Sequence, residues 1–275
     1  MRQPDADRLR FFETAERIGS LRMQKIACWG VCLATLCGLP GLARADAVPG
    51  YGVDTAMNLY CIELSSATPT LIGNTGVFLE AIALTPDGTA LFGTSAGGLL
   101  YHIDPATAIA TLVGNTHIGD IEGLHFLNDT LLGVNLQTTP TIYSIDPATA
   151  VATAVVTLDE ATGAARAMTV LDDNTLLLVT DNPNGKALRT ADLTTGATTF
   201  IGNITTNATF VPGLDFGIDG NLYALDSSGN VLLVDPATAA ATIIGNPLAN
   251  FWLDLAATSF SDPTTAELEA AMGRK

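Results

Sequence analysis

Basic residues are scarce in this chain of 275 residues. Its 12 lysines and arginines stand against 28 aspartates and glutamates, and the net charge at pH 7 is −16. Proteins that bind nucleic acid present clustered lysine and arginine to the phosphates, and anionic membrane surfaces attract the same residues. This composition therefore argues against nucleic acid as a partner. A cation or a basic partner is what such a surface attracts.

Cysteines and long apolar runs are also few. Three of the four cysteines lie between positions 28 and 37, so the composition does not indicate a disulfide-dense fold. The longest apolar run, 26–42, is shorter than the roughly 20 residues that a membrane-spanning helix needs. It also contains glycine and proline. A membrane anchor is therefore the weaker interpretation of this run.

A secretory signal is the better interpretation. Met23-Gln24-Lys25 supplies a basic start, 26–42 supplies the apolar segment, and Ala43-Arg44-Ala45 is a small-x-small cleavage site. We therefore expect translation to start at Met23, with 1–22 as an upstream extension, and cleavage after Ala45. The mature protein would be secreted or periplasmic, with no membrane insertion once the signal is removed.

Helical periodicity is missing from the rest of the chain, where short alternating segments separated by turns indicate strands. The segment 100–115 is typical: a strand, a tight Asp-Pro-Ala-Thr turn and a second strand. It occurs five times. The acidic residue that opens each turn recurs at steps of 41, 42, 46 and 43 residues: Glu63, Asp104, Asp146, Asp192 and Asp235. A period in the forties built from short strands is typical of a four-stranded β-propeller blade.

The two ends of the chain complement each other. Residues 50–59 align with 222–231, so the first unit lacks its first strand, and 251–257 resembles 210–216, a first strand on its own. We therefore expect an all-β, five-bladed propeller over 46–262, with one blade closed by three N-terminal strands and one C-terminal strand. Beyond it, Thr264 and Glu267 have capping-box spacing, which predicts a short helix in 263–275.

The repeated Tyr-x-Ile-Asp-Pro-Ala-Thr, Gly-Asn-Thr, Gly-Leu-x-Phe and Asp-Gly-x-Leu-Tyr patterns resemble the exported bacterial propellers loosely grouped with NHL, YVTN and SMP-30-like repeats. The resemblance covers roughly 50–260. It implies the propeller architecture, but that superfamily contains lactonases, binding scaffolds and other proteins, so the fold alone does not assign an activity.

Most acidic residues at the repeated turns are explained by turn chemistry, because an aspartate there bonds forward to backbone N–H groups. A smaller set is different. Glu80 and Glu122 occupy the same point at the start of a first strand, which lines the channel of a propeller. With Asp120 and Asp254 they would converge on the axis, and such oxygen ligands suit Ca²⁺. The alternative is a hydrated channel mouth.

Three further residues are candidates for lining the channel. Arg166 stands where two other blades have Glu80 and Glu122, and it would pair with one of them at a hydrated mouth. His125 and Asp215 share a second equivalent point, which could face the channel in the same way. No residue is assigned a catalytic role.

These observations favour an exported, non-catalytic propeller scaffold that binds a protein or a glycan. The first alternative is a divalent-cation-dependent hydrolase of the SMP-30-like lactonase type, with its site in the central channel, as that resemblance implies. The second is a structural envelope protein. A bound divalent ion would favour the enzyme.

Overall fold

The computed structural model describes residues 47–159, 162–182, 185–247 and 252–257. The predicted signal, its cleavage site and the C-terminal helix lie outside these ranges. The strands are β1 (Pro49–Asp54), β2 (Asn58–Glu63), β3 (Thr68–Asn74), β4 (Leu79–Leu84), β5 (Leu91–Ser95), β6 (Leu99–Ile103), β7 (Ala110–Asn115), β8 (Ile121–Leu127), β9 (Thr130–Asn135), β10 (Thr141–Ile145), β11 (Ala152–Thr157), β12 (Ala165–Asp172), β13 (Thr175–Asn182), β14 (Gly185–Asp192), β15 (Thr198–Asn203), β16 (Gly213–Phe216), β17 (Leu222–Leu225), β18 (Val231–Val234), β19 (Ala241–Gly245) and β20 (Trp252–Ala257).

The strands form five antiparallel four-stranded sheets, which confirms the five-bladed propeller. Four blades take consecutive strands, from β4 to β19. The fifth has the order β20-β1-β2-β3, with Gly52 opposite Leu255 and Gly50 opposite Ala257. The predicted closure by the two ends of the chain is therefore confirmed. The one helix among the described residues is a three-residue turn at Leu64–Ser66. No helix in the described ranges is long and apolar enough to cross a membrane.

The hydrophobic core lies between successive blades, because each sheet is apolar on the faces that meet its neighbours. At the closing blade, fully buried Trp252 packs edge-on against Tyr60, with 5.5 Å between the ring centres. Ile62 and Leu225 belong to the same cluster and come from the closing blade and the one before it. Closing the ring therefore buries apolar surface that an open chain would leave exposed to water.

The acidic residues of the repeated turns act as predicted. The Asp104 carboxylate accepts from the Ala106 N–H at 2.8 Å, and Asp146 accepts from the Ala148 N–H at the same distance. The Ala106 hydrogen bond is the largest influence that lowers the pKa of Asp104. These carboxylates are occupied in holding their turns, which removes them from the candidate binding residues.

The same turns fasten each blade to the one before it. The turn between the third and fourth strands places an alanine at positive φ, although this left-handed conformation costs an L residue roughly 1–2 kcal/mol. The buried alanine methyl packs against a glycine of the fourth, outer strand of the preceding blade. At Gly114 an added Cβ would lie 3.1 Å from the Ala150 Cβ and 3.0 Å from the Thr149 carbonyl oxygen. We call this contact the clasp. Its alanine–glycine pairs are Ala67 with Gly245, Ala108 with Gly73, Ala150 with Gly114, and Ala239 with Gly202.

The fifth clasp exchanges the two residue types. The outer strand β11 has Val156 where the others have glycine, because Val156 pairs with Ile142 as Gly114 pairs with Leu100. The turn that meets it has Gly196 where the others have alanine. Gly196 has φ +74°, and a Cβ added there would lie 2.9 Å from Val156 Cγ2 and would overlap the carbonyl oxygen of Thr157. Only one of the two residues in each clasp therefore carries a Cβ. In four clasps it is the residue of the turn, and in the fifth it is the residue of the outer strand.

Replacing Gly114 by valine should therefore lower the free energy of unfolding by about 1–3 kcal/mol, because it overpacks the clasp. Ala150→Gly alone should be close to neutral, since the lost methyl offsets the relieved left-handed strain. The double variant copies the natural Val156–Gly196 pair and should recover most of the loss.

Chemical denaturation of the four proteins measures this coupling. Ala154→Val, on the exposed part of another outer strand, is the matched control and should stay within about 0.5 kcal/mol of wild type. Strictly additive effects of the Gly114 and Ala150 substitutions would contradict the clasp.

Candidate functional site

The innermost strands β4, β8, β12, β16 and β20 neighbour one another around the channel. In four of them the pairing with the second strand skips one residue near the start. Leu79 lies opposite Ser95 and Ala81 opposite Thr94, so Glu80 between them has no opposite residue in this pairing. Glu122, Arg166 and Leu253 are skipped in the same way. Such β-bulges turn a side chain out of the regular alternation, and they often occur beside functional sites.

The bulged side chains meet at one end of the channel. They line a cavity of about 150 Å³ whose wall consists of Phe78, Glu80, Glu122, Arg166, Phe210, Pro212 and Leu253. Five of these seven residues occupy the one point that the repeat alignment treats as equivalent in all blades. Phe78 and Phe210, which share another point two residues earlier, were not singled out from the sequence.

Arg166 is held by three groups. Its Nε donates to Asp181 Oδ2 at 2.8 Å, its Nη1 lies 3.6 Å from Glu122 Oε1, and its guanidinium carbon lies 4.6 Å from the centre of the Phe210 ring. The pairing of Arg166 with a glutamate was one predicted alternative. Asp181 was missed. It lies on β13 beside the start of β12, and only the pairing of these two strands could have indicated it.

Glu80 is a carboxylate that, within the described part of the chain, lacks a hydrogen-bond donor at one of its oxygens. Its Oε2 is buried and has no hydrogen-bond partner among the described residues. Burial, followed by the charges of Asp120 and Glu122, raises the pKa of Glu80 to about 7. Burial also raises the pKa of Glu122, although the Arg166 charge opposes this. Asp120 is exposed at the mouth, where its charge acts on Glu80. A positive group in this cavity would satisfy both carboxylates of the wall.

Asp254, the fourth predicted metal ligand, does not line the cavity. Its Oδ2 accepts from the Ile82 N–H and its Oδ1 from the Leu255 N–H, each at 2.7 Å. Its side chain is buried, and burial raises its pKa well above the usual range. Both oxygens are committed to the backbone, so the structure does not bring Asp254 together with Glu80 and Glu122 as a ligand set. Within the described ranges, no three histidine, cysteine, aspartate or glutamate side chains are grouped to hold a metal ion.

Asp215 and His125 lie together on the channel side of the ring. Asp215 Oδ1 accepts from Thr169 Oγ1 at 2.8 Å and from the Phe216 N–H at 2.8 Å, and Oδ2 accepts from the Ala257 N–H at 2.7 Å. His125 Nε2 is 3.1 Å from Asp215 Oδ1.

The His125 ring lies between this carboxylate and the backbone of its own strand, with Nδ1 2.8 Å from the Phe126 carbonyl oxygen. The contact between His125 and Asp215 therefore joins β8 to β16.

The comparisons with known proteins support the fold and do not indicate a function. No family model matches the chain, and no curated protein matches it. Among solved structures, a chain in "Crystal structure of Nidogen/Laminin Complex" is 14% identical, with a TM-score of 0.52 over 78% of this chain and 81% of that chain. A chain in "Crystal structure of WD40 beta propeller domain of Doa1" is 11% identical, with a TM-score of 0.48 over 77% of this chain and 83% of that chain. At 14% identity, the first likeness supports a propeller and nothing finer.

The raised pKa of Glu80 makes stability depend on pH. The folded chain holds a proton at Glu80 between its usual value of 4.5 and about 7, where the unfolded chain has released it. Stability from this group therefore falls as the pH rises through that range. Glu80→Gln cannot ionise, so its melting temperature should match wild type near pH 4.5 and exceed it at pH 8. Because Glu80 is only half-buried, we expect about 1 kcal/mol, or roughly 2–4 °C.

Melting curves of the two proteins between pH 4.5 and 8 measure this difference. Asp173→Asn is the matched control, because it removes one negative charge at an exposed turn. Its difference from wild type should not change over the same pH range. A constant difference for Glu80→Gln across the range would show that Glu80 has no such pKa.

Proposed function

We propose that the mature chain is an exported, non-catalytic propeller that binds a protein partner at the cavity end of the ring. The observation that carries this proposal is the break in the repeat at the bulge. The turn and clasp positions repeat from blade to blade because each blade packs in the same way. The bulge position holds glutamate, glutamate, arginine, proline and leucine in turn. Blade packing does not account for that variety, whereas a single binding site at the axis does.

The rim of the cavity suits a protein surface. Phe78 is 41% exposed there. Exposed aromatic residues beside a concave site are frequent anchors of protein interfaces. A glycan would require many hydrogen-bond donors and acceptors, and four of the seven lining residues are apolar. The protein ligand is therefore preferred over the glycan. The nidogen/laminin structure is that of a complex, which is a fold-level analogy in the same direction.

The hydrolase of the SMP-30-like lactonase type is the second candidate, and the unpartnered oxygen of Glu80 beside Glu122 favours it. It requires a divalent cation held by several oxygen ligands. The commitment of Asp254 to backbone N–H groups weakens that set. The structural envelope protein would use the outer surface and would leave the cavity without a ligand.

A photo-crosslinking residue, p-benzoylphenylalanine, placed at position 78 tests the proposed binding face in living cells. We expect a discrete adduct with a second protein after irradiation. The matched control is the same residue at position 200, where Phe200 is 50% exposed on the outer strand β15. The same adducts from both positions, or adducts from position 200 alone, would contradict the proposal and favour the envelope protein.

Export is supported by the signal pattern of 23–45. The mature protein isolated from the periplasm or the medium should begin at Asp46, as N-terminal sequencing would show. Lys25→Glu with Arg44→Glu, which removes the basic residues around the apolar run, should reduce export and leave precursor inside the cell. A full-length chain that stays in the cytoplasm without processing would contradict the export proposal.

A further inference from the structure

The charge around the cavity is out of balance. Among the described residues, the carboxylates of Glu80, Asp120, Glu122 and Asp181 face a single cation, Arg166. That guanidinium is already engaged with Asp181, Glu122 and an aromatic ring of the wall. The wall therefore carries negative charge that its own residues do not neutralise, and Glu80 carries the unmet part of it.

The buried Oε2 of Glu80 is the specific acceptor whose requirement is unmet. A buried oxygen without a donor costs roughly 1–3 kcal/mol, more if it is charged. In its neutral form this carboxyl avoids the charge, which is what its raised pKa reflects. A cation beside the Glu80 side chain in the cavity would stabilise the ionised form instead, through its charge.

The size of the cavity limits what can enter. Its volume of about 150 Å³ exceeds what a single water molecule needs. It is smaller than the roughly 300–1,000 Å³ of sites that enclose a whole small molecule. One long side chain of another protein is therefore the suitable occupant.

The lining decides between an inorganic and an organic cation. Calcium takes 6–8 oxygen ligands, but apolar side chains form the greater part of this wall: Phe78, Phe210, Pro212 and Leu253. An ammonium or guanidinium group uses such walls, because its stem packs on apolar atoms and its charge is attracted to aromatic faces. Arg166 already lies over Phe210 and beside Glu122, so this wall accommodates a guanidinium.

We propose that the cavity receives a lysine or arginine side chain of the partner protein, with its charged end on Glu80 and Glu122 and its stem against Phe78 and Leu253. This inference rests on the proposed function and names the chemistry of the group that is bound. The acidic surface of the whole chain would draw such a partner toward the site. Binding would also be linked to proton release from Glu80, so affinity should rise between pH 6 and pH 8.

Amide chemical shifts of the mature protein, titrated at pH 8, test the proposal. The ligands are Nα-acetyl-arginine amide, Nα-acetyl-lysine amide, uncharged Nα-acetyl-norleucine amide and CaCl₂. The two basic amides should shift the signals of Glu80, Glu122 and Leu253 with saturation in the millimolar range, and the norleucine amide should not. Glu80→Gln should weaken the basic amides at least fivefold, which is about 1 kcal/mol. Asp173→Asn, which removes the same charge far from the cavity, should leave the affinity unchanged.

Three results would overturn the inference: equal binding of the norleucine amide, equal weakening by Glu80→Gln and Asp173→Asn, or saturation of these signals by Ca²⁺ with exclusion of the basic amides. The last result would instead support the divalent-cation-dependent hydrolase. An adduct from position 78 without binding of the basic amides would leave the proposed function in place and remove only the cationic subsite.

Discussion

Each innermost strand of this propeller pairs on one side only, and its other edge faces the channel, where backbone N–H groups need acceptors. Two buried aspartates supply acceptors there. Asp254 accepts from the Ile82 N–H of the next blade, and Asp215 accepts from the Ala257 N–H. Through His125 and Thr169, Asp215 also reaches two other blades. The two carboxylates thereby link all five inner strands.

The residues that join the blades are distinct from the residues that remain available to bind a ligand. At the outer edge, the clasp joins blades through one alanine and one glycine in four cases, and through Val156 and Gly196 in the fifth. At the centre, the two buried aspartates join strands. The cavity residues Glu80 and Glu122 take part in neither system. Burial raises the pKa of both residues, so their ionised forms are destabilised. Neither blade packing nor strand pairing explains why carboxylates are placed there.

Much of the fold could be predicted from the sequence, because a propeller repeats its packing and the repeats align by eye. The alignment also placed Glu80, Glu122 and Arg166 at one equivalent point. It could not show that this point is a β-bulge, since a bulge is a property of pairing with the second strand. Asp254 was expected to converge on the axis as a metal ligand, whereas its oxygens accept backbone N–H groups. It stands where the other blades have only alanine or glycine, which was a signal that it differs from Glu80 and Glu122. Asp181 depends on contact between different strands and had no signal in the repeat.

Asp254 and Asp215 join the inner strands by accepting from the Ile82 and Ala257 amides at the channel edges. Hydrogen exchange of these two amides tests this most directly. Both amides should exchange as slowly as amides of the regular strand pairs, because each donates to a buried aspartate at 2.7 Å. In Asp254→Ala, which removes both acceptor oxygens, the Ile82 amide should lose protection and the Ala257 amide should keep it. Fast exchange of both amides in the wild-type protein would show that the channel edges are open to water, and would contradict the account.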